Sequence, residues 1–144
     1  MTKEDIVNPK RYTQNKLQCW DFWIKAGLDP LIASAVKYVW RYEYKNGLQD
    51  LEKAKVFINK AIDTFNESDD ISFSHKSYKI KKSEVETFDS EQFVFMTCAS
   101  YSTNKAHYVD NCKMMLYLLD IMFDKFKKEE QWTQSNIKHE KTVI

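Results

Sequence analysis

Apolar residues recur at helical spacing in three long stretches of the chain. From Pro30 to about Lys45, the positions Leu31, Ile32, Ala35, Val36, Val39 and Trp40 fall on one side. Asp29 supplies an N-cap, and Pro30 fits the first turn, where its missing N–H costs nothing. "KNG" closes this helix, with Gly47 as the stop. The helical period of both flanks argues against Asn46-Gly47 as a hairpin turn. From Leu48 to about Phe65 a second stripe holds Leu51, Ala54, Ile58, Ala61, Ile62 and Phe65. Helices joined by so short a turn are expected to lie antiparallel with their apolar faces together. The third stripe, from about Asn104 to Glu130, holds Val109, Cys112, Met115, Leu116, Leu119, Met122, Phe123 and Phe126, and its last turn "KFKK" suits the helix dipole. A shorter helix over Leu17–Ala26 is ended by Gly27.

The middle, residues 66–104, has a weaker pattern. "ISFSHKSYKI" alternates polar and apolar residues, which suits a short strand or an extended arm. "KKSEVETFDS" reads as a second strand or a loop, so a short β-hairpin is one expectation here. "EQFVFMTCASYS" fits either a buried strand or a helix, because periodicity alone does not separate them. The expected architecture is a mainly α domain over residues 1–130, with an antiparallel helix pair and a short hairpin in the middle. A polar, flexible tail over 131–144 follows it.

Length and composition narrow the classes. A chain of 144 residues fits one domain and can bury roughly two-thirds of its unfolded surface. Three cysteines without CxxC spacing and a polar N-terminal stretch point to free thiols in a reducing cytoplasm. No apolar run approaches the ~18 residues of a membrane span. A net charge of +1 means that any phosphate site must come from local clustering, and no specific nucleic-acid partner is expected. Two glycines in the whole chain exclude the Gly-rich phosphate loops. The 15% aromatic content points to a homo-oligomer, since aromatic residues are enriched at interfaces.

Local clustering is present. Lys37, Arg41 and Lys45 are spaced i, i+4, i+8 along one expected helix edge. Such cations repel one another unless neutralised, by a bound phosphate or by Glu43, Asp50 or Glu52; the alternative is a solvated helix face. Tyr38 and Tyr42 beside the stripe either stack on a base or serve as core or subunit contacts. Asp50 sits in the first turn of its helix, where a carboxylate complements the dipole; a magnesium ligand or general base is the functional alternative. His75, His107 and His139 show no metal spacing, and Asp63, Asp69 and Asp70 lack the glycine of a calcium loop.

The stretch "NPKRYTQNKLQCWDFWIKAGLDPLIASAVKYVWRYEYKNGLQDLEKAKVFINKAI", residues 8–62, resembles the SaV-like family of short bacteriophage proteins. That family opens on Pro-x-His-Tyr and continues with a "KY..R" helix, a Lys-containing turn and a "DL.KA" helix. The matching positions are Pro9, Tyr12, Asp21, Lys37, Tyr38, Arg41, Lys45, Asp50, Leu51, Lys53 and Ala54. Arg11 replaces the family's histidine, "YEYKNG" replaces a Gly-Lys turn, and nothing from Asn66 onward matches. The family includes a phage nucleotide kinase without a Walker motif. The resemblance therefore implies a nucleotide-handling protein of the infected host's cytoplasm. A nucleoside-monophosphate kinase would use magnesium with a nucleoside triphosphate. Tyr12, Lys37, Tyr38, Arg41, Lys45 and Lys53 would hold the phosphorylated ligand, and Arg41 and Asp50 would be catalytic. Phosphoryl transfer depends chiefly on positioning and charge neutralisation, which such a cluster can supply. Two other readings stand beside it: a non-catalytic binder that sequesters nucleotide signals of host anti-phage defence, and a protein–protein interaction module.

Overall fold

Asp29 sets the first long helix. Its carboxylate accepts the N–H groups of Leu31 and Ile32, each at 3.0 Å, and Pro30 takes the first helical position. The computed structural model describes residues 15–67, 71–74 and 76–142. Among them are five α-helices: α1 Cys19–Ala26, α2 Pro30–Arg41, α3 Leu48–Glu67, α4 Ser90–Tyr101 and α5 Tyr108–Thr142. The mainly α expectation holds.

The four longer helices form a closed ring: α2 against α3, α3 against α5, α5 against α4, and α4 back against α2. Neighbours along the chain run antiparallel: Arg41 of α2 meets Asp50 of α3 while Tyr38 stacks on Phe57. Lys55 of α3 meets Asp120 of α5 while Phe65 stacks on Tyr108, and Glu91 of α4 meets Lys125 of α5. The core inside the ring is made by the predicted stripes: Ile32, Ala35, Val36 and Val39 from α2; Leu51, Ala54, Ile58 and Ala61 from α3; Cys112, Met115, Leu119 and Met122 from α5. The short α1 lies outside, with Phe22 against Trp40 at 5.8 Å between ring centroids.

Helix α2 stops earlier than its polar pattern predicts, at Arg41 rather than near Lys45. A 3-10 turn over Tyr42–Tyr44 follows. The tightening swings Tyr42 into the core, edge-on to Phe126 at 5.5 Å, and lets the Gly47 N–H reach the Tyr42 carbonyl at 2.8 Å. Gly47 then carries φ of 53°, and a Cβ there would stand 2.8 Å from the Phe126 ring. Left-handed backbone costs a residue with a side chain about 1–2 kcal/mol, before any displacement of the ring. Gly47→Ala is therefore expected to lower the thermal midpoint by at least about 3 °C in a circular-dichroism melt. An unchanged midpoint would show that this turn tolerates a side chain.

The middle segment differs from the hairpin expectation. Residues 76–81 form neither helix nor strand, and no strand pairing exists among the described residues. The alternation in "ISFSHKSYKI" has another cause: a segment laid across helices turns its apolar residues inward and leaves the polar ones beside them exposed. Ile71 and Ile80 are buried, and Phe73 meets Tyr108 edge-on while Tyr78 lies against Phe22. Phe88 ends the segment edge-on to Trp40, at 4.8 Å. "EQFVFMTCASYS" is helical because Asp89 and Gln92 form a capping box, with Asp89 accepting the Gln92 N–H at 2.9 Å and Gln92 accepting the Asp89 N–H at 3.3 Å. The Gln92 side-chain amide also donates to the Val39 carbonyl at 3.1 Å, which ties α4 to the end of α2. Helix α5 starts later than the pattern predicts, after a 3-10 turn over Lys105–His107 capped by Asn104, and its helical backbone continues through Thr142 rather than stopping near Glu130.

At the opposite end from Gly47, the Tyr108 hydroxyl donates to Asp29 at 3.1 Å. Burial pushes the Asp29 carboxyl above its usual range, against the pull of its hydrogen bonds from Ile32, Tyr108 and Leu31. No helix among the described residues is long and apolar enough to cross a membrane.

Candidate anion-binding site

The end of α2 and the first half of α3 bring four charged side chains around one aromatic ring. Tyr38 is half-buried and stacks on Phe57 of α3, with ring centroids 5.8 Å apart and planes 27° apart. Three cations stand over the Tyr38 ring: Lys37 Nζ at 4.7 Å, the Arg41 guanidinium at 5.0 Å and Lys53 Nζ at 5.6 Å from its centroid. Each is within cation–π range. Lys37 and Arg41 arrive from α2, at positions i−1 and i+3 relative to Tyr38. Lys53 arrives from α3, four residues before the Phe57 that supports the ring.

The only carboxylate that reaches the cations, among the described residues, is Asp50. It is fully buried and faces Arg41 at 3.4 Å through Oδ1. Its Oδ2 accepts the Asn46 N–H at 3.2 Å, so the side chain ties the α2–α3 turn to the first turn of α3. Arg41 is itself 6% exposed. The pair thus forms the floor of the cluster, and Lys37 and Lys53 form its half-exposed rim. Among the described residues neither lysine is ion-paired. Glu43 and Glu52, the other neutralising candidates, point elsewhere. Burial, with Asp89 and Glu129 beside it, pushes the Glu43 carboxyl up against the pull of its Tyr42 hydrogen bond and of Lys125, and Glu52 lines a groove with Lys55 and Asp120. Among the described residues, three cations and one carboxylate meet here.

The expected row of three cations on one helix edge is broken at its third member. Lys45 lies beyond the end of α2, with φ of −132° and ψ of −88°, and is exposed. Its place in the cluster is taken by Lys53, which helical spacing on α2 could not reveal. Lys53 was named in the sequence only through the resemblance of residues 8–62; the antiparallel return of α3 past the end of α2 is what brings it to the cluster. Of the two tyrosines, Tyr42 is core and Tyr38 carries the cations. Tyr12 lies outside the described residues, as do Arg11, Asp69, Asp70 and His75.

Two further residues belong to the surroundings of the cluster. Phe57 was expected only as part of a helix and proves to be the ring's support. Cys19, at the start of α1, feels the same field: burial pushes its thiol up, and the charges of Lys37 and Arg41 pull it partly back. A metal ion finds little here. Both Asp50 oxygens are engaged, and no group of three His, Cys, Asp or Glu residues among the described residues could hold one.

A family model described only as a protein of unknown function (DUF3310) matches residues 6–59. The match covers less than half of the chain, and Lys37, Tyr38, Arg41, Asp50 and Lys53 all fall inside it. No curated protein and no solved structure matches the chain.

Proposed function

We propose that this protein binds a phosphorylated small molecule, a nucleotide before others, at the Tyr38 cluster, and holds it without turning it over. The observation that carries this reading is the convergence of Lys37, Arg41 and Lys53 on one aromatic ring, with Lys37 and Lys53 half-exposed and without an ion pair among the described residues. Partly desolvated cations in excess favour an anionic ligand, because burial weakens their screening by water and salt. Lysine offers phosphate a mobile point charge, and the buried arginine adds a fixed one beneath it. The resemblance of residues 8–62 to phage nucleotide-handling proteins supports the same ligand class, and trapping nucleotide signals of host anti-phage defence is the biological role we attach to it.

Binding without turnover is favoured over phosphoryl transfer by the state of Asp50. A general base or magnesium ligand needs an oxygen directed at the acceptor or the ion. Asp50 spends one oxygen on Arg41 and the other on the Asn46 N–H, and none of it is exposed. It acts as a positioning residue for Arg41. Lys45 belongs to the periphery of the proposed site.

Thermal melts of the full chain with nucleoside monophosphates, ATP, cyclic dinucleotides, inorganic pyrophosphate and unphosphorylated nucleosides test the reading. A ligand that binds only the folded state adds about 2.7 kcal/mol at a hundred times its Kd. At least one phosphorylated compound is expected to raise the midpoint by several degrees and to be recovered unchanged, while the nucleosides do not. Formation of a nucleoside diphosphate from ATP and a monophosphate would favour the kinase reading instead. No shift with any phosphorylated compound would remove both.

A further inference from the structure

Helix α5 carries two apolar faces. One is the core face of Tyr108, Cys112, Met115, Leu119 and Met122. At 3.6 residues per turn the other lies on the opposite side, where Asp110, Met114, Tyr117, Ile121, Lys128 and Trp132 fall within an arc of about 60°. Tyr117 is 63% exposed, Trp132 69% and Met114 47%. A helix that serves only as one wall of a bundle presents polar residues there. Helix α4, antiparallel beside α5, also turns Val94 and Tyr101 to solvent.

We infer that this outer face is a homodimer interface, in which α5 of one protomer lies antiparallel against α5 of its partner about a two-fold axis near Tyr117 and Ile121. Three observations select a second copy as the occupant. The first is charge complementarity. The stripe has an acid, Asp110, at its N-terminal end and a base, Lys128, near its far end, with the apolar residues between. An isologous contact requires a surface complementary to itself. Antiparallel pairing sets each Asp110 opposite the partner copy's lysine and each Tyr117 beside its isoleucine. The second is the rim. Intrachain ion pairs border the stripe on both sides, Lys55 with Asp120 at 3.5 Å and Lys125 with Glu91 at 3.0 Å. An apolar centre inside a polar rim is the usual anatomy of an interface. The third is the length of α5. Among the described residues its last aromatic contact with the bundle is Phe126 on Tyr42, yet Trp132 lies farther along the helix, exposed. A second copy running the other way would cover it. This inference is independent of the anion site, which lies on α2 and α3.

Light scattering and sedimentation of the full chain test it. The wild type is expected at about twice the 17.2 kDa chain mass at micromolar concentration. Tyr117→Glu should bring it to the single-chain mass, with helix content and thermal unfolding still cooperative. Asp110→Lys alone and Lys128→Asp alone should each raise the dimer dissociation constant roughly fivefold or more, since each contact occurs twice. The double charge swap should restore it. A wild type at the single-chain mass, or a dimer that survives Tyr117→Glu, would overturn the interface. Failure of the double swap to recover affinity would overturn the antiparallel pairing.

Discussion

Replacing Asp50 by alanine is expected to destabilise the fold by about 3–5 kcal/mol, because it removes a fully buried carboxylate that faces the buried Arg41 guanidinium. The Asn46 N–H would lose its acceptor as well. Asp50→Asn keeps an acceptor for that N–H but removes the charge, so it should lose most of the same stability. The double change Arg41→Met with Asp50→Leu removes both charges and should recover much of the loss, as buried pairs replaced by apolar residues commonly do. Chemical denaturation of the four proteins distinguishes these cases. An Asp50→Ala protein within about 1 kcal/mol of wild type would mean that the pair does not anchor the α2–α3 turn.

The second large effect falls on ligand binding. Lys37 and Lys53 stand half-exposed at the rim of the cluster, so their substitution should not threaten the core. A hydrogen bond to a charged group contributes about 1.5–3 kcal/mol, so reversing either lysine to glutamate should weaken a phosphorylated ligand at least about tenfold. Reversing both should abolish measurable binding, while the unliganded protein melts as before. Lys45→Ala should change affinity by no more than about twofold, since Lys45 has left the helix edge on which its spacing had placed it. A Lys45 effect as large as that of Lys53 would return the site to the linear row seen in the sequence.

Much of the helical frame was legible before the structure. Asp29-Pro30 and Gly27 punctuate the chain by local chemistry, and the stripes of α2, α3 and α5 predict the buried residues because each helix has one core face along most of its length. The middle was not legible for a physical reason. Alternation reports only that an extended segment has one buried side, and both a strand in a sheet and an arm laid on helices satisfy that. In α4, apolar residues point to solvent as well as inward, so its period is blurred. The candidate site was half legible. Lys37, Tyr38, Arg41 and Asp50 could be placed by sequence distance alone, and the structure brings these four together. Lys53 could be named only through the resemblance, and the departure of Lys45 from the cluster depends on where α2 stops, which the inward turn of Tyr42 onto Phe126 decides from the far end of the chain.

Isothermal titration of the wild type and of the Lys37→Glu/Lys53→Glu protein with the same phosphorylated compounds, at low and at physiological salt, bears most directly on the role of the Tyr38 cluster. The expected result is saturable binding of at least one compound to the wild type, weaker at higher salt, and its loss in the doubly reversed protein. Equal affinity in the two proteins would contradict it.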